Sequence, residues 1–395
     1  MHNPCLLAKI KSRKDGVSKL FSRTSHKTID TMKTFKHLYE KLLDEDFIKK
    51  CIYIAARGKR NRSDVREVLN HIDRHVFMIK TILENDAFVP AEHQPKIIVE
   101  RGKQRTIITP KFKYEAIVHT MIVEVLQPIL LPRFYQYSCA SIPKKGSSFG
   151  RKTIVKWIRK IYRTHKYCPR FYILKVDIKK YFENIDREIL KIQLSRLIAD
   201  NRFLTLLYSV IDCAEVNGLP LGFVTSQWLA NFCLTCVDNF VNQNLKQPYY
   251  IRYMDDMVVF STDKASLHDV LMKLHVYLKA FLHLTLKRNY QIFQFIDDLV
   301  ISGKFTGRPL DFMGFKFYPS KVTLRKKTLR GIRRKILRVK KKLRPTVYDC
   351  RCIMSKLGML KHLNTYSYFS TYLKPHVHIK RVRLYISQYD RRNAA

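Results

Sequence analysis

The tightest constraint in this chain is a pair of adjacent aspartates, Asp255 and Asp256, held between two apolar runs. Tyr250, Ile251 and Tyr253 precede them; Met257, Val258, Val259 and Phe260 follow. Runs of that make-up predict two buried strands, with a tight hairpin turn at the acids. Carboxylates in such a place are costly unless a cation or a hydrogen-bond network compensates them. A solvated turn is the plain alternative, because Asp is a common turn residue.

A carboxylate upstream favours the first reading. The β-prone run Phe171, Tyr172, Ile173, Leu174 and Val176 ends at Asp177, and Phe182 follows five residues later. Two-metal phosphoryl transfer needs acids from separate strands at one point, so that ions about 3.5–4 Å apart clamp the attacking and leaving oxygens.

Charge narrows the partner. The 75 Lys+Arg against 32 Asp+Glu give a formal net charge of +43, a field that attracts polyanions, nucleic acid first. Structural RNA binding without catalysis would show the same charge. The nine cysteines repeat no zinc-ligand pattern. Cys233/Cys236 and Cys350/Cys352 read as buried thiols, which suit a reducing cytoplasm. No apolar stretch approaches the ~18 residues of a membrane span, and the basic N-terminus lacks the apolar segment of a secretion signal. A cytoplasmic location with no membrane partner is therefore expected.

Tyr253-Met254-Asp255-Asp256, with Asp177 and Phe182 upstream, resembles the palm of reverse transcriptases. The resemblance implies an α+β right-hand polymerase: fingers, a palm whose antiparallel sheet has helices behind it, and a helical thumb. It implies Asp177, Asp255 and Asp256 as catalytic acids, with two Mg²⁺ ions (Mn²⁺ able to substitute) held by these and by the Ile178 backbone. Phe182 would lie beneath the sugar and exclude a 2′-hydroxyl. Lys103 and Arg105 resemble the fingers cations beside the incoming triphosphate, and Lys287 the lysine near the leaving pyrophosphate. Leu221, Gly222 and Gln227 occupy the second palm motif beside the nascent base pair. Met313 and Gly314 resemble the primer grip.

The expected organisation is a basic flexible arm over 1–33, N-terminal helices and fingers over 34–165, a palm over 166–319 and a basic thumb over 320–395. In the thumb, 13 of the 24 residues 321–344 are basic and none is acidic. Leu329, Ile332, Ile336, Val339 and Leu343 predict one amphipathic helix through that stretch, with Arg333, Arg334 and Arg338 placed to meet duplex phosphates. The basic loop 57–62 reads equally as a solvated loop or an RNA contact.

The second palm motif narrows the resemblance to the reverse transcriptases of diversity-generating retroelements, in the prokaryotic group II intron-like lineage. Leu221 precedes Gly222, and Gln227 follows Ser226, where most relatives carry Gln and Pro. Tyr114-Glu115 departs from the Asp-Arg pair usual in relatives. This membership implies error-prone cDNA synthesis from dNTPs on a template-repeat RNA, an RNA–cDNA duplex as product, and a small basic accessory protein. Retron, phage-defence and intron-type enzymes compete with it, as does an inactive RNA-binding scaffold.

Overall fold

In the computed structural model the described residues are 34–100, 102–164, 170–214, 217–296, 306–361 and 363–392, without the side chains of Glu100 and Lys103. The arm expected at 1–33 lies outside them. They form two compact units, each discontinuous in sequence: 34–134 with 180–234 and 282–284, and 135–179 with 235–281 and 285–392.

The first unit is largely helical. Helices α1 (Glu45–Ala56), α2 (Ser63–Asn70) and α3 (Ile72–Glu84) lead into a two-stranded hairpin, β1 (Lys96–Glu100) and β2 (Lys103–Ile107), and then α4 (Ile117–Leu130). The later segment adds α6 (Arg187–Ser195), α7 (Asn201–Asp212) and α8 (Val224–Cys233). Asp44, Asp186 and Asp200 cap α1, α6 and α7 by accepting backbone N–H bonds, which is why those helices start where they do. Helix α2 begins at Ser63, and Arg62 before it makes no side-chain cap bond.

Helix α4 overturns the expectation that no stretch is long and apolar enough to span a membrane. Phe112–Arg133 passes that test with a mean hydropathy of 1.3, yet 72% of its most apolar window is buried within the protein. It packs against α1 and α8 as a core helix. His119, Thr120 and Glu124 break the apolar run in sequence without exposing it, since His119 and Thr120 are buried.

The second unit is built on a four-stranded antiparallel sheet of order β4-β5-β3-β6: β3 (Tyr172–Asp177), β4 (Tyr250–Tyr253), β5 (Asp256–Ser261) and β6 (Gln291–Gln294). One face meets α5 (Ser147–Thr164), whose Ile154, Trp157, Ile158 and Ile161 join Ile173, Ile251, Val258 and Phe260 in one core. Short α9 (Thr235–Asn239) and the long α10 (Lys264–Leu282) belong to the same unit. A second sheet, β7 (Leu310–Phe312), β8 (Phe315–Phe317) and β9 (Val322–Leu324), precedes helices α11 (Lys326–Lys340), α12 (Val347–Gly358), α13 (Tyr366–Tyr372) and α14 (Ile379–Arg392).

The thumb helix is shorter than expected. Val322 and Leu324 bury alternate side chains in β9, which pairs with β8, so the helix starts at Lys326 rather than at 321. It stops at Lys340, ahead of Pro345, and Leu343 is 98% exposed instead of packed. Ile332, Ile336 and Val339 form the buried face as the spacing predicts.

Candidate active site

Strands β4 and β5 pair with Tyr253 opposite Asp256, leaving Met254 and Asp255 as a two-residue turn. Met254 has φ 55, a left-handed conformation that a non-glycine residue keeps only where its surroundings hold it. Arg252 does the holding. Its Nη1 donates to the Met254 carbonyl at 3.0 Å, while Nε and Nη2 donate to the two carboxylate oxygens of Asp238 at 2.8 and 2.6 Å. The Tyr250 hydroxyl donates to Asp238 Oδ1 at 2.8 Å. On the free edge of β4, Cys139 N–H donates to the Arg252 carbonyl at 2.9 Å. Sequence reading missed this brace; its signal was a charge inside an apolar strand (Arg252) and an acid just after an apolar helical run (Asp238).

Asp177 ends β3 and stands directly opposite Asp256 in the β3–β5 register. Burial first, and then the Asp177 carboxylate, push Asp255 up to about 7. Burial also raises Asp256, with Lys175, Lys287 and Arg325 pulling the other way. Lys287 Nζ is hydrogen-bonded to Asp177 Oδ2, and its backbone N–H donates to the Asp177 carbonyl at 2.8 Å. Asp177 Oδ1 is buried without a hydrogen-bond partner.

An orphaned carboxylate oxygen beside a second, crowded carboxyl suits a hard divalent cation, which takes one or two carboxylates and completes its shell with substrate oxygens. Asp177 and Asp255 would hold it. Bound there, the metal would polarise a phosphoryl oxygen and activate the attacking hydroxyl. Among the described residues no three Asp, Glu, His or Cys side chains converge tightly enough to hold an ion by themselves. Ile178, expected to offer its carbonyl, is buried and bridges Leu286.

Of the expected nucleotide contacts, Lys287 belongs to the second unit and the others to the first. Arg105 lies exposed on β2 opposite Ile98; the Lys103 side chain is outside the described residues. The Leu221 carbonyl accepts from Ile108 N–H at 2.8 Å, and Gly222 follows at φ 123. A Cβ on Gly222 would collide with the Ile108 carbonyl, so the position needs glycine. Gln227 is exposed on the first turn of α8. Phe182 is half-buried, its carbonyl bonded by Leu219 N–H at 2.8 Å.

Strand-borne Asp177, the Asp255–Asp256 pair and the Gly222 loop all lie inside a segment, 93–289, that matches the family model described as reverse transcriptase (RNA-dependent DNA polymerase). This segment is a reverse transcriptase domain. The α+β arrangement, with an antiparallel sheet backed by a helix, is accordingly a polymerase fold. Protein YkfC of Escherichia coli is 23% identical over 151 residues, which cover 36% of this chain and 38% of that protein. The COX1/OXI3 intron 1 protein of Saccharomyces cerevisiae is 30% identical over 80 residues, 18% of this chain and 10% of that one. The matches thus span well under half of these curated relatives. Telomerase from Candida albicans, solved with a TWJ fragment of telomeric RNA, aligns at TM-score 0.46 and 13% identity, covering 76% of this chain and 60% of that one.

Beyond the reverse transcriptase domain, Met313 and Gly314 form the two-residue turn of the β7–β8 hairpin, both at positive φ (50 and 85). The Met313 thioether packs over Gly150, where a Cβ would meet it. Arg333, Arg334 and Arg338 are exposed on α11. Inside the domain, Glu115 is buried, its Oε1 2.5 Å from His93 Nε2 and its Oε2 accepting from Lys111 N–H at 2.9 Å.

Proposed function

We propose that the protein is an RNA-directed DNA polymerase that copies RNA into cDNA by two-Mg²⁺ phosphoryl transfer, with Mn²⁺ able to substitute. The observation that carries this reading is the meeting of Asp177 and Asp255, from separate strand ends, inside a reverse transcriptase domain. Asp177 and Asp255 serve as the metal ligands and Asp256 supports them; Lys287 holds Asp177 in place and neutralises charge at the leaving group. Phe182 acts as the gate against ribonucleotides. Arg105 and Lys103 receive the triphosphate, Met313 and Gly314 support the primer end, and the thumb arginines hold the RNA–cDNA duplex.

Leu221 and Gln227, in the second palm motif, support the finer reading of an error-prone enzyme of a diversity-generating retroelement, working with a small basic accessory protein in the cytoplasm. The 80-residue likeness to a yeast intron protein favours an intron-type enzyme as the second reading. A neighbouring pair of near-repeats that differ mainly at adenines selects the first. Primer extension on an RNA template with Mg²⁺ tests the shared core: wild type extends, and Asp255→Asn, which keeps the shape but removes a charge, loses extension by orders of magnitude. Undiminished extension by that variant overturns the assignment.

A further inference from the structure

Helix α5 presents two faces of opposite character. At about 100° per residue, Ile154, Trp157, Ile158 and Ile161 point into the sheet's core, while Lys152, Lys156, Arg159 and Arg163 cluster on the opposite side. With Arg151 and Lys160 they border an open space of about 730 Å³ over the helix surface. The helix contains no acid, and among the described residues none of Lys152, Lys156, Arg159 and Arg163 has an acidic partner. Cations at i and i+4 repel one another, so an unpaired row of them weakens the helix that carries it. A merely solvated face would mix signs; this one keeps a single sign along the helix.

We propose that this outward face of α5 binds the phosphate backbone of RNA outside the copied duplex, as a second nucleic-acid surface beside the thumb. The inference rests on the reading above only for the identity of the polyanion. Steps of four, three and four residues place successive cations about 4.5–6 Å apart along the helix, a row suited to a chain of phosphates. An anionic membrane is the poorer match, because among the described residues Val155 is the one apolar side chain bordering that space and none larger is there to insert.

The test uses the full-length protein with Lys152, Lys156, Arg159 and Arg163 all replaced by Gln. Binding of a labelled, unprimed RNA transcript is titrated over a range of salt, and single-nucleotide addition is measured on a short annealed primer–template. Each lost phosphate contact should flatten the slope of log affinity against log salt by roughly 0.7–0.9, so the slope should fall by about 3 while single addition stays at the wild-type level. An unchanged slope overturns the proposal. So does an unchanged slope coupled with lost binding to phosphatidylcholine–phosphatidylserine vesicles, which would make the face a membrane contact. The pair Lys152→Gln/Lys156→Gln gives the same reading, at half the slope change, should the fourfold variant fold poorly. A protein that extends no primer yet shows the slope change sinks the polymerase reading and keeps this one; normal extension with no slope change does the reverse.

Discussion

Arg252 and Asp238 form a bidentate ion pair in which neither side chain has any solvent exposure. The pair connects α9 to the strand that carries the acidic turn, and Arg252 reaches on to the Met254 carbonyl. Removing one partner leaves the other as an uncompensated buried charge. Asp238→Asn should therefore cost about 3–5 kcal/mol of stability. Urea unfolding followed by circular dichroism measures it, and a loss below ~1 kcal/mol would show that the pair does not brace the turn.

Gly222 and Gly314 both sit at positive φ, but only one is crowded. At Gly222 a Cβ would strike the Ile108 carbonyl; at Gly314 nothing lies within 4 Å. Gly314→Ala should cost only the backbone term, about 1–2 kcal/mol. Gly222→Ala adds a clash with backbone that cannot step aside and should cost more. Equal shifts in melting temperature for the two variants would contradict the close approach.

Asp349 links the thumb helices by accepting from Lys342 at 2.6 Å and Lys335 at 2.9 Å, and it closes a capping box with Thr346. These lysine bonds hold its carboxyl well below the usual carboxylate range. Because the folded value is depressed, the stabilisation is complete above the unfolded value of ~3.9 and disappears as pH falls through the folded one. Wild type should thus lose thumb stability on acidification below about pH 4, whereas Asp349→Asn is weaker at neutral pH and flatter in acid. Melting curves from neutral pH into that acid range decide it; parallel curves would remove Asp349 from the account.

Arg333, Arg334 and Arg338 test the thumb. Replacing all three with Gln should flatten the salt dependence of duplex affinity by roughly 0.7–0.9 per contact and shorten the products. Single-nucleotide addition at low salt should survive. A slope equal to wild type would place the duplex elsewhere.

The acidic turn was legible because two apolar runs flank two charges, a pattern few folds tolerate without a use for the charges. The strand that ends at Asp177 followed from the same logic, whereas the order β4-β5-β3-β6 did not. The thumb boundary was not legible: Val322 and Leu324 also fit a helical stripe, and only pairing with β8 makes them a strand. Asp238 was hidden for a related reason, since its partner Arg252 lies on another element and no local pattern joins them. The glycine requirement at Gly222 likewise depends on Ile108, more than a hundred residues upstream.

Leu221 carries the prediction about fidelity. Its backbone is tied to Ile108 by the 2.8 Å bond, so exchanging the side chain leaves the loop's path intact. On the function proposed above, Leu221 offers the incoming nucleotide an aliphatic group with no donor or acceptor. One lost positioning hydrogen bond is worth about 0.5–1.5 kcal/mol, or roughly a factor of two to twelve in discrimination. That is too small for Leu221 alone to create an extreme error rate, and its effect should fall on the most weakly paired template bases. Adenine and uracil each offer two Watson–Crick bonds rather than three, so a loosened nascent pair is less constrained at those template bases than at guanine or cytosine. Leu221→Gln should therefore lower misincorporation opposite template adenine and uracil by a few-fold and change guanine and cytosine less. Sequencing cDNA copied from one RNA of mixed composition reads all four rates together, and an equal drop at every base would reduce Leu221 to a general fidelity residue.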